Sequence, residues 1–250
     1  MNPILENYYS LVSKYQVLEK QTRSEDIHQK RVILRRIFPI LSIYNIQPRK
    51  MKNAEKVFKL FGKLRDVQVQ LEKLATLTLT NQLAEYEFFL QIKQIELQLQ
   101  ISNVTHKKKI KFPKPDKSQE VDPTKLRMKT DAQLTKLIKH TATPIANDTH
   151  NHTLRIKLKK YRYQLETLAM VVQIDSKKLE KLKHYQDLMG EIHDYEILIN
   201  GIKKYFRRRI SKEVNIKRLE EKQRKLIKTL NLQAQQIVQD CREVLTMETV

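Results

Sequence analysis

One pattern of residues occurs twice in this chain, once in each half, and constrains the fold more than any other feature. The first copy is HQKRVILRR at residues 28–36, followed by FGKLRD at 61–66. The second copy is HTLRIKLKKYRY at 152–163, followed by MGEIHD at 189–194. The chain has only three glycines, and Gly62 and Gly190 occupy the same place in the two copies. A repeat of this kind predicts a pseudo-symmetric protein built by internal duplication.

Composition indicates that the repeated unit is helical. The chain is 40% hydrophobic, which is enough to supply a core. Its commonest residues include Leu, Lys, Gln and Glu, whose straight side chains lose little rotamer freedom in a helix. Three glycines are too few for the many tight turns of an all-β fold. We therefore predict an all-α fold.

Apolar residues recurring at intervals of three and four predict four helices in the first half and the same plan in the second. The predicted helices cover about residues 4–19, 24–44, 53–71, 80–102, 125–140, 148–173, 176–206 and 213–244. Ser24 and Asn53 are suitable N-caps. Pro39 lies inside the second pattern, so a kink or a break is expected there. The row of apolar residues in the last helix suits packing within its own half or against a partner chain, and the oligomeric state stays open.

The composition changes between the two halves. Residues 103–123 are basic, contain three prolines and have few residues suited to a core. They predict an exposed linker, or alternatively a flexible basic arm that also touches the ligand. The predicted organisation is a first repeat at 1–102, this linker, and a second repeat at 124–250, which together form one domain.

The charge of the chain predicts a polyanionic partner. There are 49 Lys and Arg residues against 28 Asp and Glu, which gives a formal net charge of +21. So large an excess costs self-repulsion unless an anion offsets it. Nucleic acid, inorganic polyphosphate and an anionic membrane surface all fit this charge.

Other classes of protein fit the sequence poorly. Cys241 is the only cysteine, so neither an intrachain disulfide nor a Cys-based zinc site is expected. The first residues lack the basic and apolar segments of a secretory signal. No apolar run approaches the roughly 20 residues that span a bilayer. A cytoplasmic location is the default expectation.

Matched cations in the two copies predict the binding site. On a helix, His28, Arg31 and Arg35 fall within one stripe about 60° wide. The same spacing recurs in the second copy, at His152, Arg155 and Lys159, with Arg162 one turn further on. Each stripe borders the apolar face, so it should line a groove or channel. There Arg offers forked donors to phosphate oxygens, Lys a compact charge, and His a donor that becomes cationic as the pH falls.

Further residues near the two patterns are candidates for supporting roles. Additional cations for the same ligand are Arg36, Lys63, Arg65, Lys160 and Lys183. Asp66 and Asp194 each follow a pattern glycine by four residues. We expect them to orient a nearby His or Arg, with metal ligation beside His28 and His152 as the alternative. Gly62 and Gly190 are expected to allow close approach of two helices.

In both halves these residues resemble the CHAD domain, the conserved histidine α-helical domain. The resemblance is carried by H-x-x-R-x-x-x-R-R at 28–36, LFGKLRD at 60–66, H-x-x-R-x-x-x-K-K-x-R-Y at 152–163 and LKHYQDLMGEIHD at 182–194. It implies two pseudo-symmetric four-helix bundles with a basic channel or cleft between them. It also implies binding of inorganic polyphosphate through the His, Arg and Lys rows, and association with polyphosphate granules. The family more often has Leu before the second glycine and Asn before the following Asp, so His193 is unusual.

Three other functions compete with a polyphosphate-binding module. A nucleic-acid binder could use the ten tyrosines for stacking, although no RRM, KH or zinc-finger pattern is present. A phosphohydrolase could use the His193–Asp194 doublet with a metal, but the sequence has no Walker-type phosphate loop and no Ser-His-Asp spacing. A structural helical adaptor would need none of the matched cations. We therefore predict no catalytic residue, no resident metal and no cofactor.

Overall fold

The chain is all-helical, as predicted, over the residues that its computed structural model describes. These are residues 2–19, 21, 23–46, 51–77, 81–107, 110–141, 148–207 and 216–243, and no strand occurs among them. In chain order the helices are α1 (Pro3–Leu18), α2 (Ser24–Ile43), α3 (Lys52–Leu74), α4 (Asn81–Lys107), α5 (Pro123–Thr141), α6 (Asp148–Leu168), α7 (Ser176–Arg207) and α8 (Lys217–Glu243). No helix of this described part is long and apolar enough to cross a membrane.

The chain forms two compact units, unit 1 at Met1–Val121 and unit 2 at Asp122–Val250. Unit 1 contains α1 to α4, and unit 2 contains α5 to α8. α4 ends at Lys107 and so continues beyond residue 102, where the first repeat was predicted to end.

Helix ends and the proline were predicted less well than the helices themselves. Ser24 is the first residue of α2, and Arg23 takes the N-cap position without a side-chain cap bond. Asn53 likewise lies inside α3, after Met51 as N-cap. Pro39 lies inside α2, which continues to Ile43, so a break does not occur and the alternative, a kink, stays a prediction. The residues around Pro39, Ile37 and Ile40 among them, are buried, and this packing offsets the roughly 3 kcal/mol that an internal proline costs.

In unit 1, α1 packs against α2, α2 against α3, and α3 against α4. Lys30 of α2 is buried although it belongs to the first basic pattern. Its Nζ donates to the carbonyl oxygens of Glu19 (3.3 Å) and Gln21 (2.5 Å) beyond the end of α1. Burial lowers the pKa of this amine, and the nearby charges of Asp26 and Glu19 oppose that effect. Lys30 therefore fixes the end of α1, where backbone carbonyls lack helical partners.

Part of the segment predicted as an exposed linker packs against α1. The Phe112 ring lies 5.3 Å from the Tyr15 ring, edge to face. Tyr8 donates its hydroxyl to the carbonyl oxygen of Pro113, and Pro115 is buried. The expectation of full exposure is wrong for these residues, because the apolar surface of this segment packs against Tyr8 and Tyr15 of α1.

In unit 2 the four helices contact each other in a closed ring. α5 packs against α6, α6 against α7, α7 against α8, and α8 returns to α5. Leu158, Leu182, Met189 and Leu230 are all fully buried in this core. The last helix therefore packs within its own half, which was one of the two arrangements that the sequence allowed.

Candidate functional site

The basic stripe of unit 1 runs along α2. His28, Arg31 and Arg35 are half-buried, whereas Arg36 is exposed. The Arg31 guanidinium lies 5.5 Å from the centre of the Phe58 ring on α3. It also lies beside Gly62, since a Cβ atom built there would be 3.6 Å from Arg31 Nη2. Arg31 thus lies on the surface where α2 meets α3.

His28 also borders a groove between α1 and α2. The groove has a volume of about 560 Å³ and is lined largely by aliphatic residues, including Val17, Leu18, Val32 and Ile33. The Nδ1 atom of His28 is buried and makes no hydrogen bond to the described part of the chain. Part of this histidine therefore faces apolar surroundings, which favour its neutral form.

Burial and the neighbouring charges together lower the pKa of His28. Burial is the main reason why its pKa lies below the ordinary 6.5, and the positive charge of Arg65 is the next. Arg31 and Arg35 lower the pKa further, while Glu25 opposes them. Together these effects favour the uncharged form of His28.

The remaining candidates of unit 1 lie on α3 and differ in exposure. Arg65 makes a two-pronged ion pair with Glu72, at 2.7 and 3.2 Å. Lys63 and Asp66 are exposed. Glu72 thus offsets the charge of Arg65, and the orienting role of Asp66 stays a prediction.

The basic stripe of unit 2 runs along α6. His152, Arg155 and Lys159 are half-buried, and Lys160 is exposed, so these four match the burial of their counterparts in unit 1. Arg162 differs, because it pairs with Glu166 at 3.2 Å and only 14% of its side chain is exposed. The turn that Arg162 adds to the stripe is therefore partly neutralised.

His152 meets a second histidine on α7. The ring centres of His152 and His193 lie 5.0 Å apart, with the rings tilted by 47°. His193 in turn lies 3.0 Å from Glu196, between Nδ1 and Oε2. Burial, and after it His193, place the pKa of His152 below 6.5, against the opposing charge of Glu196. The structure thus brings His193 to the stripe, although His193 was absent from the predicted binding residues.

A sequence signal for His193 existed. His193 follows Gly190 by three residues, and Arg65 follows Gly62 by three. The two residues therefore hold equivalent places in the two copies, and this equivalence predicts a role for His193 beside that of Arg65. Asp194 is half-buried, and its orienting role stays a prediction, while Lys183 is exposed. Among the described residues, no group of three or more His, Cys, Asp or Glu is placed to hold a metal ion.

The two pattern glycines do not serve close helix packing. A Cβ atom at Gly62 would meet only the Arg31 side chain, at 3.6 and 3.9 Å. A Cβ atom at Gly190 would meet none of the described side chains, nor the backbone of another described element, within 4 Å. The expectation of close helix approach is therefore wrong, because the Arg31 side chain lies beside Gly62 and open space lies beside Gly190 among the described residues.

The depressed histidine pKa values predict how stability depends on pH. Because the folded pKa values of His28 and His152 lie below the unfolded value, the unfolded chain binds more protons as the pH falls. We expect the free energy of unfolding to decrease between about pH 7.5 and about pH 5.5, as measured by urea denaturation. Replacing both residues with glutamine should reduce the slope. Part of the slope should remain in this variant, because the pKa of His140 is also lowered. An unchanged slope would contradict the contribution of His28 and His152.

Comparison with known proteins agrees with this picture. A family model described as the CHAD domain matches residues 9–200, a range that includes both copies of the pattern. The crystal structure of the CHAD domain from the plant Ricinus communis has a similar fold, with a TM-score of 0.58 and 17% sequence identity over 98% of this chain and 90% of that chain. No curated protein matches the chain. Since the matched region covers most of the sequence and both basic stripes, the chain belongs to the CHAD domain family.

Proposed function

We propose that this protein binds inorganic polyphosphate without catalysing a reaction, using the basic stripes of α2 and α6. One observation carries the proposal. The chain builds the same arrangement twice, a half-buried His, Arg and further cation on one helix, beside a helix that carries a glycine. The CHAD family is of a polyphosphate-binding type, and the net charge of +21 suits such a ligand.

Partial burial of the stripes favours an anion with many phosphate groups. Arginines beside apolar or aromatic surface, such as Arg31 beside Phe58, are less screened by water than fully exposed cations. Their forked donors suit phosphate oxygens, and this recognition does not require a base sequence. Polyphosphate carries about one negative charge per unit, so a row of cations binds it by neutralisation and release of counterions.

The binding residues divide into two sets by exposure. The half-buried set forms the centre of each site: His28, Arg31 and Arg35 in unit 1, and His152, Arg155 and Lys159 in unit 2. The exposed set extends it: Arg36, Lys63, Lys160 and Lys183. Arg65 and Arg162 already pair with glutamates, so they would exchange a carboxylate for a phosphate on binding.

The proposal includes several predictions made from the sequence. Each unit is taken as a four-helix bundle that arose by duplication, and a basic channel or cleft between the units stays a prediction. A cytoplasmic location and association with polyphosphate granules also belong to the proposal.

A titration with labelled long-chain polyphosphate, followed by fluorescence anisotropy across a salt series, tests the function. We expect the logarithm of the affinity to fall steeply and linearly with the logarithm of the salt concentration. Single-stranded DNA of equal total charge should displace the probe poorly. Addition of magnesium or manganese should release no phosphate.

Each contrary result of this titration favours a different function. Equal displacement by DNA would indicate a generic cationic surface and favour nucleic-acid binding. Absence of binding would favour a structural adaptor. Release of phosphate would make the protein an enzyme.

A further inference from the structure

We propose that His193 of α7 is a second ligand-binding histidine of unit 2, and that it holds one phosphate group together with His152 of α6. The inference rests on the proposed function, in which His152 is the one histidine of the unit 2 stripe. The two ring centres are 5.0 Å apart and the rings are tilted by 47°. Nitrogens of both rings can therefore converge on oxygens of one phosphate, at the usual hydrogen-bond distance of about 2.7–3.2 Å.

Glu196 holds the ring of His193 in place through a hydrogen bond. Its Oε2 atom lies 3.0 Å from Nδ1 of His193, which must donate to it, and only 17% of each side chain is exposed. The carboxylate fixes the orientation of the ring. With Nδ1 engaged, Nε2 is the nitrogen left to meet a ligand, and in the imidazolium form it donates to a phosphate oxygen.

Gly190 leaves room for the ligand beside His193. It precedes His193 by three residues, so both lie on the same face of α7. A Cβ atom added at Gly190 would have no described atom within 4 Å apart from its chain neighbours and the nearby backbone of α7. A glycine inside a helix costs about 0.5–1 kcal/mol relative to alanine, and neither packing nor an unusual backbone angle requires one here. An open surface for the ligand accounts for its presence.

Unit 1 has a cation at the equivalent place. Arg65 stands three residues after Gly62, and its charge lowers the pKa of His28, as His193 does for His152. Arg65 is held by Glu72, and His193 is held by Glu196. Three residues after each glycine, the chain therefore carries a basic side chain close enough to lower the pKa of the stripe histidine. This residue is Arg65 in unit 1 and His193 in unit 2.

Histidine-selective NMR of the full chain tests the subsite directly. Tripolyphosphate is added to protein labelled with ¹⁵N in its imidazole rings, in the presence of EDTA. We expect the ring nitrogens of His152 and His193 to shift together and to saturate at the same concentration. The exposed His184 of the same helix should not follow them.

Two variants measure the contribution of the subsite to affinity for long-chain polyphosphate. We expect His193→Gln to weaken binding about tenfold, the size of one charge-assisted hydrogen bond. Gly190→Ala should weaken it about fivefold while raising the melting temperature, since alanine is the better helix former. Gly201→Ala is the matched control, because Gly201 lies in the same helix three turns further on. It should leave the affinity unchanged.

The outcomes separate the subsite from the proposed function. If wild-type protein binds polyphosphate and both variants bind within twofold of it, the subsite is wrong and the function stands. If wild-type protein does not bind polyphosphate, the function itself is wrong and the subsite falls with it. Histidine shifts that require added Zn²⁺ and disappear with EDTA would identify a metal site and overturn the phosphate assignment.

Discussion

Replacing Arg31 and Arg155 together with alanine should weaken polyphosphate binding about 100-fold without changing the helical content. Each residue is the half-buried arginine at the centre of its stripe. A hydrogen bond to a charged group contributes about 1.5–3 kcal/mol, so the loss of two such bonds would cost about 3–6 kcal/mol. Because both arginines are partly exposed, we expect a loss near the lower end of this range. Anisotropy titration at fixed salt measures the affinity, and circular dichroism checks the fold.

A charge-matched control distinguishes a specific stripe from total charge. Lys56 of α3 and Arg218 of α8 are exposed cations outside both patterns, and replacing both with alanine removes the same two charges. The stripe variant should also reduce the salt slope by about two, one for each lost phosphate contact. An affinity within twofold of wild type for the stripe variant would show that the wrong stripe had been chosen. Equal losses in both double variants would indicate binding by overall charge.

Asp240→Ala should destabilise unit 2 by about 3 kcal/mol, the usual cost of removing one partner from a buried polar cluster. Asp240 of α8 is only 3% exposed. Its Oδ2 accepts a hydrogen bond of 2.8 Å from the Tyr185 hydroxyl, and its Oδ1 accepts one of 2.9 Å from Gln236. Lys181 adds an ion pair at 3.6 Å. Alanine would leave the buried tyrosine hydroxyl without this acceptor.

Hydrogen exchange of the α7 and α8 amides measures this loss in unit 2 separately from unit 1. Tyr185→Phe is the milder companion variant, because Asp240 then keeps Gln236 and Lys181. It should cost about 1 kcal/mol. A change below about 0.5 kcal/mol for Asp240→Ala would mean that the cluster does not stabilise the packing of α7 on α8.

Local patterns predicted the helices well and their ends poorly. Apolar residues at intervals of three and four depend only on helix geometry, so all eight predicted helices occur among the described residues. Caps depend on the competition between neighbouring backbone groups, and Arg23 rather than Ser24 precedes α2. Pro39 shows the limit of a local rule, because burial of its neighbours outweighs the lost hydrogen bond.

At the candidate site, too, the spacing along one helix and the packing between helices report different things. Spacing along one helix was enough to select His28, Arg31, His152 and Arg155, because residues three and four apart share a helix face. Lys30 also belongs to the basic pattern, but it is buried at the end of α1. Lys30 binds backbone carbonyls beyond the end of α1. The spacing of residues within α2 carries no information about where α1 ends.

The sequence by itself determined that the chain is helical, that a basic pattern is repeated, and that two glycines hold equivalent places. Each of these follows from composition or from periodicity along one segment. Only the tertiary structure decided that His193 meets His152 and that Phe112 packs on Tyr15. These contacts join residues that are distant in the chain. They depend on how each helix is rotated against its neighbour, which the packing of all the core side chains sets together.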